Sequence, residues 1–176
     1  ERQLFELTGR SGEAIRSWMA DLRDKRSFRI DEETFAKLRS DFAADSIDSA
    51  ACFAAIKEVF EHHDYLLDPH TAVAYQAAQN LRGENPVLIA STAHWAKFGE
   101  SVYRAIHGIA PGAALPEEAA CLSGCELNEL IAKEPGLDYI PANLANLDET
   151  EIRFTDIIDS APESIGQAIV KFLDQR

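Results

Sequence analysis

The sequence is poor in the features by which secreted, membrane-spanning and nucleic-acid-binding proteins are recognised. It has only three cysteines, an odd number, which argues against a secreted disulfide framework. None of its apolar runs approaches the roughly 18 residues that a membrane-spanning helix needs. Its 17 basic residues are outnumbered by 30 acidic ones, and a net charge of -13 repels phosphate backbones and acidic lipids. We therefore expect no nucleic-acid partner, no membrane partner and a cytoplasmic location.

The composition is that of a folded globular chain, and the length suits one domain or part of a larger one. Apolar residue types make up 46% and charged types 27%, so enough apolar surface is present to bury a core. The chain begins at Glu1 with neither an initiator methionine nor a signal peptide, so we expect it to be part of a longer protein. Cys121 and Cys125 lie four residues apart, but no second pair stands at zinc-like spacing, so we expect no metal site.

Residues that cap helices precede most of the apolar patterns with helical spacing. The predicted helices begin after Ser11, after Asp31, after Asp48 or Ser49, and after Asp68, and two more cover residues 98–106 and 164–173. Pro69 strengthens the prediction of a helix after Asp68, because a proline loses nothing at the first helical position.

Short apolar segments predict strands. Residues 86–90 form a continuous apolar run after a turn, which is typical of a strand buried on both faces of a parallel sheet. Residues 27–30 alternate between polar and apolar types, and residues 152–158 are a further candidate. We therefore predict an α/β fold. Residues 91–94 would then follow the carboxyl end of the central strand, where open α/β sheets bind ligands.

Two clusters of polar side chains stand at the edges of these elements and could face one pocket. The first cluster is Asp68, His70 and Thr71, and the second is Ser91, Thr92 and His94, followed by Lys97. Each also has a structural interpretation. Asp68 can be a helix cap, and His70 and His94 can each be a hydrogen-bonded core residue. The hydroxyl of Thr92 can belong to a simple turn, and Lys97 can be a solvated charge.

Three segments resemble a known family. Residues 65–74, YLLDPHTAVA, and residues 91–98, STAHWAKF, closely resemble threonine synthase of the bacterial and fungal branch, and residues 1–10 look like a third segment of that family. The resemblance covers residues 1–106 and weakens afterwards. It implies part of a tryptophan-synthase-β-like, fold type II enzyme with an open αβα sheet. Residues 1–106 would be the C-terminal part of its cofactor-binding α/β domain, and residues 107–176 a loop-rich acidic C-terminal extension packed on that domain.

The resemblance also implies a reaction and a cofactor. The family uses pyridoxal 5′-phosphate to convert O-phospho-L-homoserine and water into L-threonine and phosphate. Its hydroxyl partner for the pyridine nitrogen falls on Thr92, with Ser91 as the neighbouring alternative. Asp68, His70 and Thr71 match the cluster that lines the cofactor edge or orders the loop. His94 and Lys97 match positions on the substrate side, where Lys97 favours an anionic substrate or pairs with a carboxylate and His94 orients the loop.

The sequence departs from the family in what it contains and in what it lacks. Trp95 and Gly99 stand where the family usually has prolines, which reduces the expected rigidity of the loop. No segment resembles the family's cofactor-lysine motif or its phosphate-binding loop. We therefore expect no catalytic residue in this chain, a missing N-terminal part of the enzyme as its partner, and no activity of the isolated chain.

Two other functions are compatible with these observations. The chain could be a non-catalytic binding or regulatory module that retains the fold, an interpretation that Trp95 and Gly99 favour mildly. It could also be an acidic scaffold for protein partners, because residues 107–176 contain 13 acidic and 4 basic side chains. Such a charge surplus is more often an ordinary solvated surface.

Overall fold

The computed structural model of the protein describes residues 1–134 and 140–174. Within these ranges the chain forms ten α-helices: α1 (Arg2–Leu7), α2 (Gly12–Lys25), α3 (Glu32–Asp41), α4 (Ser49–His63), α5 (Pro69–Leu81), α6 (Gly99–Ile106), α7 (Glu117–Ala120), α8 (Gly124–Ile131), α9 (Ala142–Ala145) and α10 (Pro162–Asp174). Two 3₁₀ helices cover Trp95–Phe98 and Leu147–Glu149. None of these helices combines the length and the apolar character needed to cross a bilayer.

Side-chain caps fix where the long helices begin. The side chains of Ser11, Asp31, Asp48 and Asp68 accept backbone N–H groups at the first turns of α2, α3, α4 and α5, as the sequence predicts. At α4 the cap is Asp48 rather than Ser49. These bonds satisfy donors that have no partner within the helix, which explains why sequence patterns locate the starts of helices well.

The main hydrophobic core lies between α4, α5, α6 and α8. Helix α4 packs against α5 and α6, and α6 packs in turn against α8. Apolar side chains from all four helices and from the segments between them are buried here, among them Ala55, Ile56, Val59, Leu66, Leu67, Ala72, Trp95, Val102, Leu127 and Ile131. This core fixes the relative positions of the start of α5 and of the Trp95–Phe98 helix, which carry the two polar clusters.

The strand predictions are wrong for the described part of the chain, which contains no strand. Residues 27–30, 86–90 and 152–158 run without a neighbouring strand to share their N–H and C=O groups, and pairing is what defines a sheet. Burial of the apolar run over residues 86–90 on both faces is also contradicted, because Val87 is 51% exposed and Leu88 is 98% exposed. In residues 152–158, Ile157 is 99% exposed. The composition of these segments suits a strand, but the partners that would bury them are not among the described residues.

The C-terminal third is more helical than its many glycines and prolines predict. Helices α7, α8, α9 and α10 lie here, and α10 includes the predicted helix over residues 164–173. Helix α8 carries a capping box between Ser123 and Glu126 and contacts α6 and α9. Residues 135–139 and 175–176 of the predicted acidic extension lie outside the described residues.

Candidate functional site

Asp68 is the buried centre of the first polar cluster. It is only 2% exposed, and its Oδ1 accepts the backbone N–H groups of His70 and Thr71 at 2.9 and 3.3 Å. The hydroxyl of Thr71 donates to Oδ2 of the same carboxylate. Asp68 is therefore a helix cap, as its structural interpretation predicts, and it also fixes the direction of Thr71.

A pair of hydroxyls joins the two clusters. Thr71 Oγ1 lies 3.2 Å from Ser91 Oγ, within hydrogen-bonding distance, although the two residues are 20 positions apart. Ser91 is also within 3.4 Å of the carbonyl oxygen of Ala93. A connected set of polar groups thus runs from the buried Asp68 carboxylate to the exposed Ser91. This geometry brings Asp68, Thr71 and Ser91 together, whereas the expectation that both clusters face one pocket stays a prediction.

A ring contact holds the same two segments together a short distance away. The His70 ring packs edge-on against the Phe98 ring, with centroids 5.0 Å apart. His70 is exposed, so it is not the hydrogen-bonded core histidine of the structural interpretation. The contact links the first turn of α5 to the end of the Trp95–Phe98 helix.

His94 caps the Trp95–Phe98 helix with its ring. Its Nδ1 accepts the Ala96 N–H at 3.2 Å, so the neutral ring carries its proton on Nε2. Partial burial lowers the pKa of the imidazole, and the nearby Asp68 carboxylate opposes that shift. Both the hydrogen bond and the burial therefore favour the neutral ring.

The lowered pKa of His94 predicts a loss of stability in mild acid. Because the folded state disfavours the protonated ring, the stabilisation is complete above the ordinary histidine pKa of about 6.5 and is lost as the pH falls through the lower folded value. The free energy of unfolding in urea should thus decline as the pH falls below about 6.5. The His94→Asn variant keeps a capping side chain but cannot titrate, so its decline over that range should be shallower. An equal decline in the free energy of unfolding of both proteins would show that the titration of His94 is not the cause.

Thr92 and Lys97 are exposed, and the structure does not bring Lys97 together with the Asp68 cluster. Within the described ranges, neither the Thr92 hydroxyl nor the Lys97 ammonium group has a hydrogen-bond or ion-pair partner. Lys97 borders a cavity of about 570 Å³ beside α8, whereas His70 borders a separate one of about 430 Å³ beside α4. The side chains of Thr92 and Lys97 therefore remain available to a group from outside the described residues.

Trp95 and Gly99, the two departures from the resemblance, each have a structural reason. Trp95 is only 6% exposed, and it fills the core while its ring lies 5.3 Å from that of His94. Gly99 leaves space for Asn128 of α8, because a Cβ atom at position 99 would overlap Asn128 Oδ1. Burial of Trp95 anchors the loop, so the loss of a proline there does not leave it without support.

Sequence reasoning missed three residues that support the site. Cys52 donates from Sγ to the Pro69 carbonyl oxygen at 3.4 Å, and burial, together with the Asp68 carboxylate, raises the pKa of its thiol. Phe98 supports His70. Asn128 donates to the Ala96 carbonyl oxygen at 2.8 Å. Only Asn128 left a signal in the sequence, as a polar residue among the apolar positions of α8.

Comparison with known proteins identifies the relatives of this chain. The family model for the C-terminal region of threonine synthase matches residues 71–169, well past residue 106, where the resemblance by motif weakens. Threonine synthase of Pseudomonas aeruginosa is 30% identical over 149 residues, which make up 84% of this chain and 30% of that protein. Human threonine synthase-like 1 is 35% identical over 107 residues, 60% of this chain and 14% of that protein. The chain thus spans less than a third of the length of these relatives.

A solved structure also shares the fold. The crystal structure of PLP-bound threonine synthase from Brucella melitensis matches 68% of this chain and 25% of its own, with a TM-score of 0.57 and 33% sequence identity. This match confirms the predicted fold class, part of a fold type II enzyme, while the sheet itself is not seen in the described residues.

Proposed function

Because the chain belongs to the threonine synthase family, we propose that it is the C-terminal portion of an enzyme that converts O-phospho-L-homoserine and water into L-threonine and phosphate with pyridoxal 5′-phosphate. The observation that carries this proposal is the contact between Thr71 and Ser91, which unites the two segments that resemble the family. Residues 1–106 would then be the C-terminal part of the cofactor-binding domain, and the acidic region that follows would pack on it.

The donor set suits the edge of a pyridine ring. Thr92 presents a hydroxyl that has no partner among the described residues, beside a Ser91 hydroxyl that is already engaged by Thr71. Pyridoxal 5′-phosphate, when bound, supplies the electron sink that stabilises negative charge on the substrate. A neutral hydroxyl next to the ring nitrogen moderates that electron demand, whereas a carboxylate would hold the nitrogen fully protonated. Thr92 is thus our choice for the nitrogen partner, with Ser91 as the alternative.

The Asp68 cluster holds the loop that carries Thr92. Asp68 orients Thr71, and Thr71 in turn contacts Ser91, so the residue next to Thr92 is tied to a buried carboxylate. His70 adds its ring contact with Phe98 on the far side of the loop. Preorganisation of this kind matters because a misplaced polar group loses much of its effect on a reacting centre.

His94 and Lys97 are our candidates for the substrate side. The ammonium group of Lys97 has no ion pair among the described residues, so it is free to attract the phosphate or carboxylate of the substrate. His94 presents an Nε2–H donor because its Nδ1 accepts the Ala96 N–H. His94 caps the short helix that follows the loop, and Lys97 lies on that helix.

The test of the proposal compares the complete polypeptide that contains the chain with the chain itself. The lysine motif of the family has no counterpart in these 176 residues, so the chain alone should release no phosphate from O-phospho-L-homoserine. The complete polypeptide with pyridoxal 5′-phosphate should release phosphate and form threonine in equal amounts. Phosphate release by the chain alone, or none by the complete polypeptide, would contradict the proposal.

A non-catalytic module that retains the fold is the alternative. The burial of Trp95 and the space that Gly99 leaves for Asn128 give both departures a packing role, so neither departure is by itself a reason to prefer this alternative. The mass of the endogenous polypeptide distinguishes the enzyme from the non-catalytic module, because the enzyme must carry a lysine-bearing domain in addition to this chain.

A further inference from the structure

Asn128 is a polar residue in an apolar environment. It lies on the inner face of α8, is only 5% exposed and is flanked there by the buried Leu127 and Ile131. Its Nδ2 donates to the Ala96 carbonyl oxygen at 2.8 Å, across 32 positions of sequence. Its Oδ1 is buried without a hydrogen-bond partner among the described residues. An unsatisfied buried acceptor destabilises a fold, so an apolar side chain here would avoid a cost that Asn128 retains.

The backbone of Ala96 links Asn128 to His94. The carbonyl oxygen of Ala96 accepts from Asn128, and the N–H of the same residue donates to His94 Nδ1 at 3.2 Å. Ala96 is itself buried, so it has little freedom to move. The N–H and the C=O of Ala96 belong to adjacent peptide groups joined at its Cα, and both lie within the Trp95–Phe98 helix. A bond that holds the carbonyl oxygen in this helical, buried residue therefore also restrains the N–H that His94 accepts.

Gly99 makes this arrangement possible. A Cβ atom built at position 99 overlaps Asn128 Oδ1 and would lie 3.4 Å from its Cγ. Because Asn128 is enclosed by the core, any larger residue at position 99 must displace the amide. Gly124, on the first turn of α8 beside the same cavity, has nothing within 4 Å of a built Cβ and tolerates a methyl group.

From these contacts we propose that Asn128 is a positioning residue for His94. It acts through the backbone of Ala96 and depends on the space left by Gly99. The hydrogen bond from Asn128 keeps the Ala96 N–H directed at His94 Nδ1, so that the ring presents Nε2–H on the substrate side of the loop. The part of this inference that concerns substrate rests on the proposed function, whereas the part that concerns His94 does not. Asp68 is the charged group whose field acts on the same ring, and it is unchanged in the variants described below.

The direct test is an NMR titration of the histidine rings in the 176-residue chain. In the parent protein the ¹⁵N shifts should show His94 protonated at Nε2 and not at Nδ1. The Asn128→Ala and Gly99→Ala variants should each show a mixture of the two tautomers and a His94 pKa that rises toward its ordinary value. Gly124→Ala is the matched control and should change neither, and His62 provides an exposed reference ring in every sample.

A double variant separates the hydrogen bond from simple packing. Asn128→Ala with Gly99→Ala fills part of the vacated space with the new methyl group, so its stability should recover relative to Asn128→Ala. Its His94 titration should remain altered, because the donor is still missing. Unaltered His94 titration in Asn128→Ala, or recovery of the parent titration in the double variant, would overturn the proposal.

Kinetics of the complete polypeptide add a functional readout. Asn128→Ala should raise the pH at which the acidic limb of kcat/KM falls, because His94 then accepts a proton more readily, and at neutral pH it should lower kcat/KM by about threefold. An acidic limb that stays in place while the NMR titration moves would show that Asn128 positions His94 but that His94 does not serve the reaction. Absence of any activity would count against the proposed function, and the NMR arm would still decide the role of Asn128.

Discussion

Replacement of Asp68 with alanine should lower the free energy of unfolding by about 3 kcal/mol, because it removes a helix cap and takes from the buried Thr71 hydroxyl its carboxylate acceptor. Two backbone N–H groups of α5 lose their partner at the same time. Thr71 would then be free to turn away from Ser91, so the loop beyond Ser91 should also become more mobile. Urea unfolding followed by circular dichroism measures the first effect, and amide hydrogen exchange at residues 91–94 measures the second.

Asp31 provides a control, because it also caps a helix and accepts a threonine hydroxyl but does so at an exposed site, with one backbone N–H where Asp68 accepts two. It caps α3 by accepting the Thr34 N–H at 2.8 Å, and its other oxygen accepts the Thr34 hydroxyl at 2.9 Å. Asp31 itself is exposed, so water replaces much of what is lost when it is removed. The Asp31→Ala variant should lower the free energy of unfolding by less than Asp68→Ala does and should leave exchange at residues 91–94 unchanged. Equal losses in the free energy of unfolding for the two variants would contradict the claim that burial makes the interactions of Asp68 more stabilising than those of Asp31.

Replacement of Thr92 with valine in the complete polypeptide should lower kcat by roughly 10- to 100-fold, the range expected for loss of one polar contact that tunes a cofactor. Valine has nearly the same shape but no hydroxyl. Because Thr92 is exposed and its hydroxyl makes no hydrogen bond within the described ranges, stability should change by less than about 0.5 kcal/mol. Steady-state kinetics and urea unfolding of the same preparations separate the two effects.

Two further variants locate the hydroxyl that matters. Thr92→Ser keeps the hydroxyl and should retain most of the activity. Ser91→Ala removes the neighbouring hydroxyl, which already contacts Thr71, and should have the smaller effect. If Ser91→Ala lowers kcat and Thr92→Val does not, the assignment passes to Ser91, and unchanged kinetics in both variants would remove the loop from the cofactor site.

The helices near the site were predictable because their signals are local. Asp68 followed by Pro69 combines a cap with a proline at the first helical position, and both interactions are completed within one turn. The apolar spacing of α4 likewise reports one buried face of a single helix. Such features need no knowledge of the rest of the fold.

The strands were not predictable in the same way. Residues 86–90 have the composition of a buried strand, but a strand exists only where another strand shares its hydrogen bonds. The exposure of Leu88 shows that the described residues supply neither that partner nor the covering layer. A sequence pattern indicates which secondary structure a segment can form, whereas the burial of that segment depends on the other elements that pack against it.

The site shows the same division between local and distant signals. The two polar clusters were recognisable from their composition, but the contact between Thr71 and Ser91 does not depend on the predicted strand over residues 86–90, which the structure lacks. The role of Asn128 could not be read from the sequence, because its partner Ala96 lies 32 positions away and on another element. Its polarity within an apolar pattern marked it as unusual without indicating what it contacts.

Titration with pyridoxal 5′-phosphate, followed by visible absorbance, tests the central claim most directly. That claim is that these residues form one wall of a cofactor site whose anchoring lysine is supplied by another part of the enzyme. The complete polypeptide should bind one equivalent and develop the absorbance band of the enzyme-bound cofactor, whereas the chain alone should show only the spectrum of free pyridoxal phosphate. A tight, stoichiometric band with the chain alone, or none with the complete polypeptide, would contradict the claim.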